Sequence, residues 1–571
     1  MKHSDNFPRV AAVLMWVLPF LLLVPNIALD ITELLYSPWA RITNALLPFG
    51  LYLLASAWGA RIGRKILFFI PLMVLCAFQI VLLFLYGEAI IAIDMFLNVA
   101  TTNVHEAGEL LANLGPAIVT VLALYLPLIA AGIWAEVRKA RVPRRMLVVG
   151  RRTGLVVTLL GLASFGLAFT APDGYRPLRQ LFPANVIYNM VEATERTAVS
   201  SAYPEASAGY KFHCMDADTV QAYAGQVVVM VVGETSRAGH WSLGGYERKT
   251  TPRLEARDHL VFFPRTLSES NTTHKSVPLM LSHLTAEEFG DSAYVAGSVV
   301  DAFHEAGYAT AWISNQAHNH SLIDFYSSRA DDTDYLCDAH PVDDDIIYDT
   351  ALAPRLKMFI DSQEPSRKLF IVVHTYGSHF NYKERYAQED AMFHPDNSVA
   401  ASRSNREELI NAYDNSILAT DKALDALIEV LEESGRPSVM VYAADHGEDI
   451  FDDSRDRFLH ASPNPTYYQI HVPMFVWMTD GFASTHPRER RALEENSGKN
   501  VSSSESVFHT LVSLADLRLP VYNSALALSS DHYQEPRRRY LNDYDESVPL
   551  VKSGLHKEDL QMLDKMNIST K

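Results

Sequence analysis

Cysteine is almost absent from this chain, with three among 571 residues. A disulfide framework is therefore excluded as the basis of its stability. Cys76 lies in an apolar run and reads as inert. Cys214 and Cys337 lie in the polar half, where they can pair if that half faces an oxidising space. A surplus of positive charge is also lacking. Lys and Arg number 49 against 67 Asp and Glu, a formal charge of −18. That balance argues against nucleic acid as a partner. Uniform composition is missing too: mean hydropathy is zero only because a very apolar front joins a polar, acidic back. The length calls for more than one domain.

Long apolar runs are what the front has. Ala11 to Leu29, Ile42 to Gly59, Ile66 to Leu85, Ala117 to Trp134 and Thr153 to Thr170 each approach the roughly 20 residues needed to cross a hydrocarbon core. The first is not read as a cleaved signal peptide, because four more runs follow it. Basic residues alternate with these runs. Lys2 and Arg9 precede the first, and Arg61, Arg64 and Lys65 separate the second from the third. Arg138, Lys139, Arg141, Arg144, Arg145, Arg151 and Arg152 crowd between the fourth and fifth. The positive-inside rule puts the N-terminus in the cytoplasm and everything after Ala171 outside. Residues 1–172 are thus read as a transmembrane domain of five spans. Residues 173–225 form a linker with a bridging helix over Asn185 to Arg196, and 226–571 a soluble domain. Between the third and fourth spans, Asn98, Thr102 and Glu106 are four apart and share one face of a helix. On their own they read as a polar stripe at the outer membrane surface.

The back is an α/β pattern. Val227 to Val232, Tyr308 to Ser314, Lys368 to Val373, Ser438 to Tyr442 and Val472 to Met478 read as buried strands. Ser298 to Ala306 and Arg406 to Glu433 read as helices. Such alternation predicts a mostly parallel sheet covered on both faces. Ligands then bind beyond the carboxyl ends of the strands. Four chemistry-bearing residues fall just there: Glu234 after the first strand, His379 after the third, Asp445 and His446 after the fourth. An isolated Asp-His-Gly is more often a turn. Two carboxylates and an imidazole together make a plausible zinc site that still needs a fourth ligand. The run Asn271-Thr272-Thr273-His274 before a predicted helix is the best source of it. A helix N-terminus favours an anion, and a hydroxyl held on a metal loses its proton more easily.

Taken together these motifs resemble the membrane-bound phosphoethanolamine transferases that decorate lipopolysaccharide, within the alkaline phosphatase and sulfatase superfamily. Gly233-Glu234-Thr235-Ser236-Arg237, Thr273 five residues before Pro278, Gly377-Ser378-His379, Asp445-His446-Gly447-Glu448, Leu459-His460 and Phe508-His509-Thr510 carry the resemblance. It implies a five-helix membrane domain joined to an alkaline-phosphatase-like domain. Glu234, Thr273, Asp445 and His446 would hold Zn2+, with Thr273 as nucleophile and Thr272 beside it as the alternative. His379 and His460 would contact the phosphate, protonate a leaving group or hold a second metal. Asn98, Thr102 and Glu106 would hold the donor headgroup. His320 stands where the lipid A-modifying members carry a substrate-binding lysine.

The implied activity is transfer of phosphoethanolamine from phosphatidylethanolamine through a phospho-threonine intermediate. The implied enzyme is a multi-pass inner-membrane monomer, with its catalytic domain in the periplasm, and is associated with resistance to antimicrobial peptides. Departures bear on the acceptor. Ser270 and Leu279 stand near positions those members fill with cysteine. Trp312-Ile313-Ser314-Asn315-Gln316 is closer to branches acting on lipopolysaccharide core or periplasmic glycans. Lipid A, core sugar and glycan all stay open. The alternatives are a glycerol-phosphate transferase of the lipoteichoic acid synthase type and a metal-dependent phosphodiesterase. An active sulfatase is disfavoured, because no Cys-x-Pro-x-Arg run is present to mature into formylglycine.

Overall fold

The computed structural model describes residues 7–32, 37–86, 91–101, 114–170, 175–214, 224–319, 321–339, 346–397, 401–461 and 463–571. Over these the chain separates into two compact units. One is Met1–Phe96 with Leu110–Thr194 and Asp453–Arg457; the other is Leu97–Glu109 with Glu195–Asp452 and Phe458–Lys571.

The first unit is helical. Among the described residues, Phe7–Ile31, Gly115–Val137 and Arg144–Ala168 are long and apolar enough to cross a membrane. The predicted third span is broken: Ile62–Phe68 and Ile70–Phe84 meet at a 50° bend and make a fourth crossing only if taken as one. The predicted second span forms a helix, Pro38–Ser56, but falls outside that set because Arg41, Thr43 and Asn44 lower its hydropathy, the last two buried on its inward face. There Thr43 Oγ1 lies 3.0 Å from Ser164 Oγ, and Asn44 donates to the Gln180 carbonyl at 3.0 Å. The last helix starts earlier than its apolar run. Arg144, Arg145, Arg151 and Arg152 lie on its first turns rather than in a loop. Val13, Phe20, Leu126 and Leu159 point outward and are exposed, as suits helices meeting hydrocarbon. Buried asparagines tie the segment after the last helix to this unit. Asn26 donates to the Phe182 carbonyl at 2.9 Å, and Asn189 to the Ile91 carbonyl at 2.6 Å. The helix Ala184–Ser201 contains the predicted bridging helix.

The second unit is built on seven strands: β1 (Val227–Gly233), β2 (Leu260–Phe262), β3 (Ala309–Ser314), β4 (Asp332–Tyr335), β5 (Leu369–His374), β6 (Ser438–Ala444) and β7 (Met474–Met478). Their order is β2-β7-β6-β1-β5-β3-β4, and only β7 runs against its neighbours. All five predicted strands are present. The two unpredicted ones sit at the edges. β2 is only three residues long, and β4 exposes Asp332 and Thr333, the acid-bearing kind of edge that resists pairing with another chain. Every residue of β1 is buried, which is why it reads as a continuous apolar run. Val228, Met230 and Val232 pack with Phe303 and Phe508 on one face, and Val227, Val229 and Val231 with Leu356 and Leu424 on the other. The register sets Gly233 opposite Ala444 and Val232 opposite His374. The chain therefore leaves β1, β5 and β6 at one level, and the residues that follow converge.

Candidate active site

Glu234, Asp445 and His446 are that convergence. All three are buried, and one ligand atom from each lies within 4.8 Å of the others. Local geometry forces them inward. Thr235 sits at φ +53°, and its main-chain N–H donates to Asp445 Oδ1 at 3.1 Å. The His446 N–H donates to the same oxygen at 2.7 Å. The other carboxylate oxygen of Asp445, Oδ2, is buried without a hydrogen-bond partner and lies 3.2 Å from His446 Nε2. His446 Nδ1 is 2.9 Å from the Gly447 carbonyl, so Nδ1 carries the proton and Nε2 keeps its lone pair. Burial holds this imidazole down to about 4. Two carboxylates and a neutral imidazole crowd together here, with a buried oxygen left unbonded. That donor set fits a borderline divalent cation such as zinc.

Thr273 completes the group. It is the first residue of the helix Thr273–Met280, and Thr272 is its N-cap. The Thr273 hydroxyl is 3.1 Å from His446 Nε2 and 3.5 Å from Glu234 Oε2. The Thr272 hydroxyl is buried and turned to Ser270 Oγ at 3.2 Å. Of the two threonines, Thr273 is the one brought to the cluster.

His460 and His379 line the next layer. The rings of His446 and His460 are 4.1 Å apart, and those of His460 and His379 5.9 Å. Leu459 and Ala461, flanking His460, take φ of +69° and +61°. Non-glycine residues held in the left-handed region cost about 1–3 kcal/mol each and gather at functional sites. Gly377 (φ +57°) allows the His379 loop to approach Glu234 just after β1, since a Cβ there would lie 2.4 Å from the Glu234 carbonyl oxygen. Asp349 fixes this loop by accepting the Tyr376 and Gly377 N–H groups, each at 2.8 Å.

Several neighbours escape a reading of motifs. Glu448 is fully buried, and burial pushes its carboxyl up to about 7 against the pull of His379, His446 and Arg237. Gln316 donates to Glu234 Oε2 at 3.4 Å and to the Thr375 carbonyl at 2.9 Å. Arg237 binds the Glu448 carbonyl and the Asp452 carboxylate and lies 4.7 Å over the Tyr468 ring. Position just past a strand end was the available signal for Gln316; Glu448 and Arg237 lay inside quoted motifs without a role. His509 is buried in a helix and accepts the Asn523 N–H at 3.2 Å, apart from this group. Thr102, Glu106 and His320 lie outside the described residues, as does the side chain of Asn98. Cys214 and Cys337 are free thiols, not a disulfide.

The family model described as Sulfatase matches residues 226–517, the stretch that carries every strand of the sheet and this whole cluster. The chain belongs to the sulfatase family. Its curated relatives within that family include phosphoethanolamine transferase EptC of Escherichia coli O18:K1:H7, 29% identical over 337 residues, 57% of this chain and 56% of the relative. The chain thus spans little more than half the length of such relatives. Among solved structures, the C-terminal periplasmic domain of EptC from Escherichia coli in complex with Zn superposes with TM-score 0.51 at 25% identity. It covers 58% of this chain and 93% of that one. The integral membrane protein lipooligosaccharide phosphoethanolamine transferase A (EptA) from Neisseria meningitidis superposes with TM-score 0.70 at 21% identity, over 92% of this chain and 99% of that one. That likeness places the helical unit, as well as the sulfatase-family domain, in a known fold.

Proposed function

We propose that this protein transfers phosphoethanolamine from phosphatidylethanolamine to a lipopolysaccharide or periplasmic glycan acceptor, with Thr273 as nucleophile. The observation that carries the reading is the Thr273 hydroxyl, on the first turn of a helix, within 3.1 Å of His446 and beside Glu234. The phosphoethanolamine transferases among the relatives and the Zn complex of a related domain support it. In this reading Glu234, Thr273, Asp445 and His446 hold a zinc ion, which supplies positive charge that lowers the hydroxyl's proton affinity and offsets charge on the phosphoryl group.

The chain's own groups do the rest. The Thr273 hydroxyl gives up its proton to solvent, its oxygen forms a bond to phosphorus, and the bond from phosphorus to the diacylglycerol oxygen breaks. A proton from His379 caps the departing alkoxide, since burial and the neighbouring His379 hold His460 down to about 3. His379 is suited to this, since its Nδ1 is engaged by the Phe380 carbonyl at 2.7 Å and its Nε2 stays available. The acceptor oxygen then attacks phosphorus, gives its proton to the same imidazole, and frees Thr273. His460 also serves to contact the phosphate. Asn98, Thr102, Glu106 and His320 are assigned to substrate binding, with Glu106 paired to the ethanolamine ammonium.

Five spans with a cytoplasmic N-terminus would place residues 226–571, the catalytic domain, in the periplasm. The apolar helices support that placement, and residues 173–225 would bridge the two parts. A lipid donor explains why the enzyme is anchored beside it.

The test is release of diacylglycerol from labelled phosphatidylethanolamine by the full chain in detergent, with no acceptor present. A burst of about one diacylglycerol per protein is expected, as for a covalent intermediate that accumulates. A burst with phosphatidylglycerol and none with phosphatidylethanolamine overturns the donor assignment.

A further inference from the structure

Three segments bring the predicted site residues together, yet no strand pairing of the central sheet joins all three. They are the run from Asp445 to Glu448, the loop from Ser268 to Thr273, and the turn around His460. Each is irregular backbone, and a misplacement of about 1 Å in such a site can cost about 100-fold in rate. Something must hold their spacing.

One residue touches all three, by its main chain and its side chain together. Gln469 lies in the short helix Tyr467–Ile470 and is fully buried. Its main-chain oxygen accepts the Gly447 N–H at 2.7 Å. A Cβ on Gly447 would lie 2.2 Å from the Tyr468 carbonyl oxygen, so only glycine allows the two segments to meet this closely. The Gln469 carboxamide then reaches the other two segments. Oε1 accepts from Asn271 Nδ2 at 2.7 Å. Nε2 donates to Asp449 Oδ2 at 2.7 Å and to the Leu459 carbonyl at 3.2 Å.

The partners are themselves tied down. The Asn271 carbonyl accepts the Ala461 N–H at 3.2 Å, and its Oδ1 accepts the Tyr540 hydroxyl at 2.8 Å. Asp449 Oδ1 accepts from Thr466 Oγ1 at 2.7 Å, and Asp449 pairs with Leu459 in a two-strand ladder. Both N–H bonds and the oxygen of the amide are in use. A buried polar network satisfied to this degree rigidifies its surroundings and specifies one arrangement.

We propose that Gln469 is a positioning residue that sets the distance between the Thr273 hydroxyl, the Asp445–His446 pair and His460. The consequence for rate rests on the transfer reading above; the consequence for backbone order does not. An amide is the side chain that suits this place. It donates to a carboxylate and a carbonyl while accepting from Asn271. A carboxylate would face Asp449 with like charge, and an aliphatic chain would leave Asn271 and Asp449 buried and unpaired.

The experiment uses the full chain in detergent. Diacylglycerol release from phosphatidylethanolamine is followed for wild type, Gln469→Ala and Gln469→Glu, with amide hydrogen exchange read alongside. Gln469→Ala is expected to lower kcat about 100-fold and to leave KM within about twofold, the pattern of a group acting on the transition state rather than on ground-state binding. Gln469→Glu, which keeps the acceptor for Asn271 but faces the buried Asp449 with like charge, is expected to lose activity as well. Exchange is expected to rise together at Gly447 and Ala461 in both variants. A kcat at the wild-type level, a loss appearing wholly in KM, or unchanged exchange at Gly447 and Ala461 overturns the proposal. If Gln469→Ala does not fold, Gln469→Glu alone decides by the same criteria. If the wild type releases no diacylglycerol, the transfer reading fails and exchange decides on Gln469 by itself.

Discussion

Thr273→Ala is expected to reduce phosphoethanolamine transfer by at least about 10,000-fold, the scale on which removing a catalytic nucleophile acts. In the proposed reading the carboxylates and His446 hold the cation, which leaves the Thr273 hydroxyl, 3.1 Å from His446 Nε2, to bond to phosphorus from a fixed scaffold. It sits on the first turn of a helix, where the backbone N–H groups and the helix dipole favour negative charge. Stability should change little, because Thr273 is only half-buried and caps nothing. Thr272, by contrast, is the buried N-cap. Its side chain makes no capping hydrogen bond, so Thr272→Ala should keep most activity and lose modest stability from packing and the Ser270 contact. Steady-state rates and melting temperatures of the two variants check this directly. Equal losses of activity in both would contradict the assignment.

The second large effect concerns the cation. Mutating groups that merely support metal ligands costs about 10–100-fold in affinity, so Asp445→Asn, which alters a proposed ligand itself, is expected to cost at least 100-fold. Zinc at a hundredfold excess over its Kd should stabilise the wild-type fold by about 2.7 kcal/mol by mass action, raising Tm. That rise should vanish in Asp445→Asn. The pH dependence follows from His446. A proton on Nε2 competes with the cation, and an ordinary histidine at about 6.5 would begin to lose its metal below neutrality. His446 is held down to about 4, so it stays unprotonated through the whole range between. Competition from this residue should therefore set in only near pH 4–5. Titration calorimetry at pH 7.5 and 5.5 reads the difference. A tenfold drop per pH unit just below neutrality, removed by His446→Ala, would show that the imidazole titrates normally.

How far the sequence reveals this molecule depends on the distance over which each feature is determined. The five interior strands were legible because burial on both faces demands β-branched runs, as in Val227 to Val232. The edges were not. β2 is too short to show a pattern, and Asp332 and Asp334 in β4 read as loop because an edge strand carries charge. Of the site, Glu234, Asp445 and His446 were legible because they follow strand ends directly, and the register that aligns Gly233 with Ala444 turns that position into proximity. The choice between Thr272 and Thr273 was not, since it depends on which one starts the helix. Gln469 was invisible for a further reason. Its role comes from contacts with Asn271, Gly447, Asp449 and Leu459, spread over nearly 200 positions, and a lone glutamine before a strand has no local signature. In the helical unit, apolarity marked the runs but not their breaks. The 50° bend falls just before Pro71, which removes a helix hydrogen bond there, whereas the polar inward face of Pro38–Ser56 meets Ser164 and Gln180 far along the chain.

The most direct test of the central claim is peptide mass mapping of the wild-type protein after incubation with phosphatidylethanolamine and no acceptor. The account predicts a phosphoethanolamine mass on Thr273 that disappears in Thr273→Ala and after metal stripping, and returns when zinc is restored. No adduct on any residue, in protein shown to hold zinc and to bind the lipid, would contradict a covalent transferase.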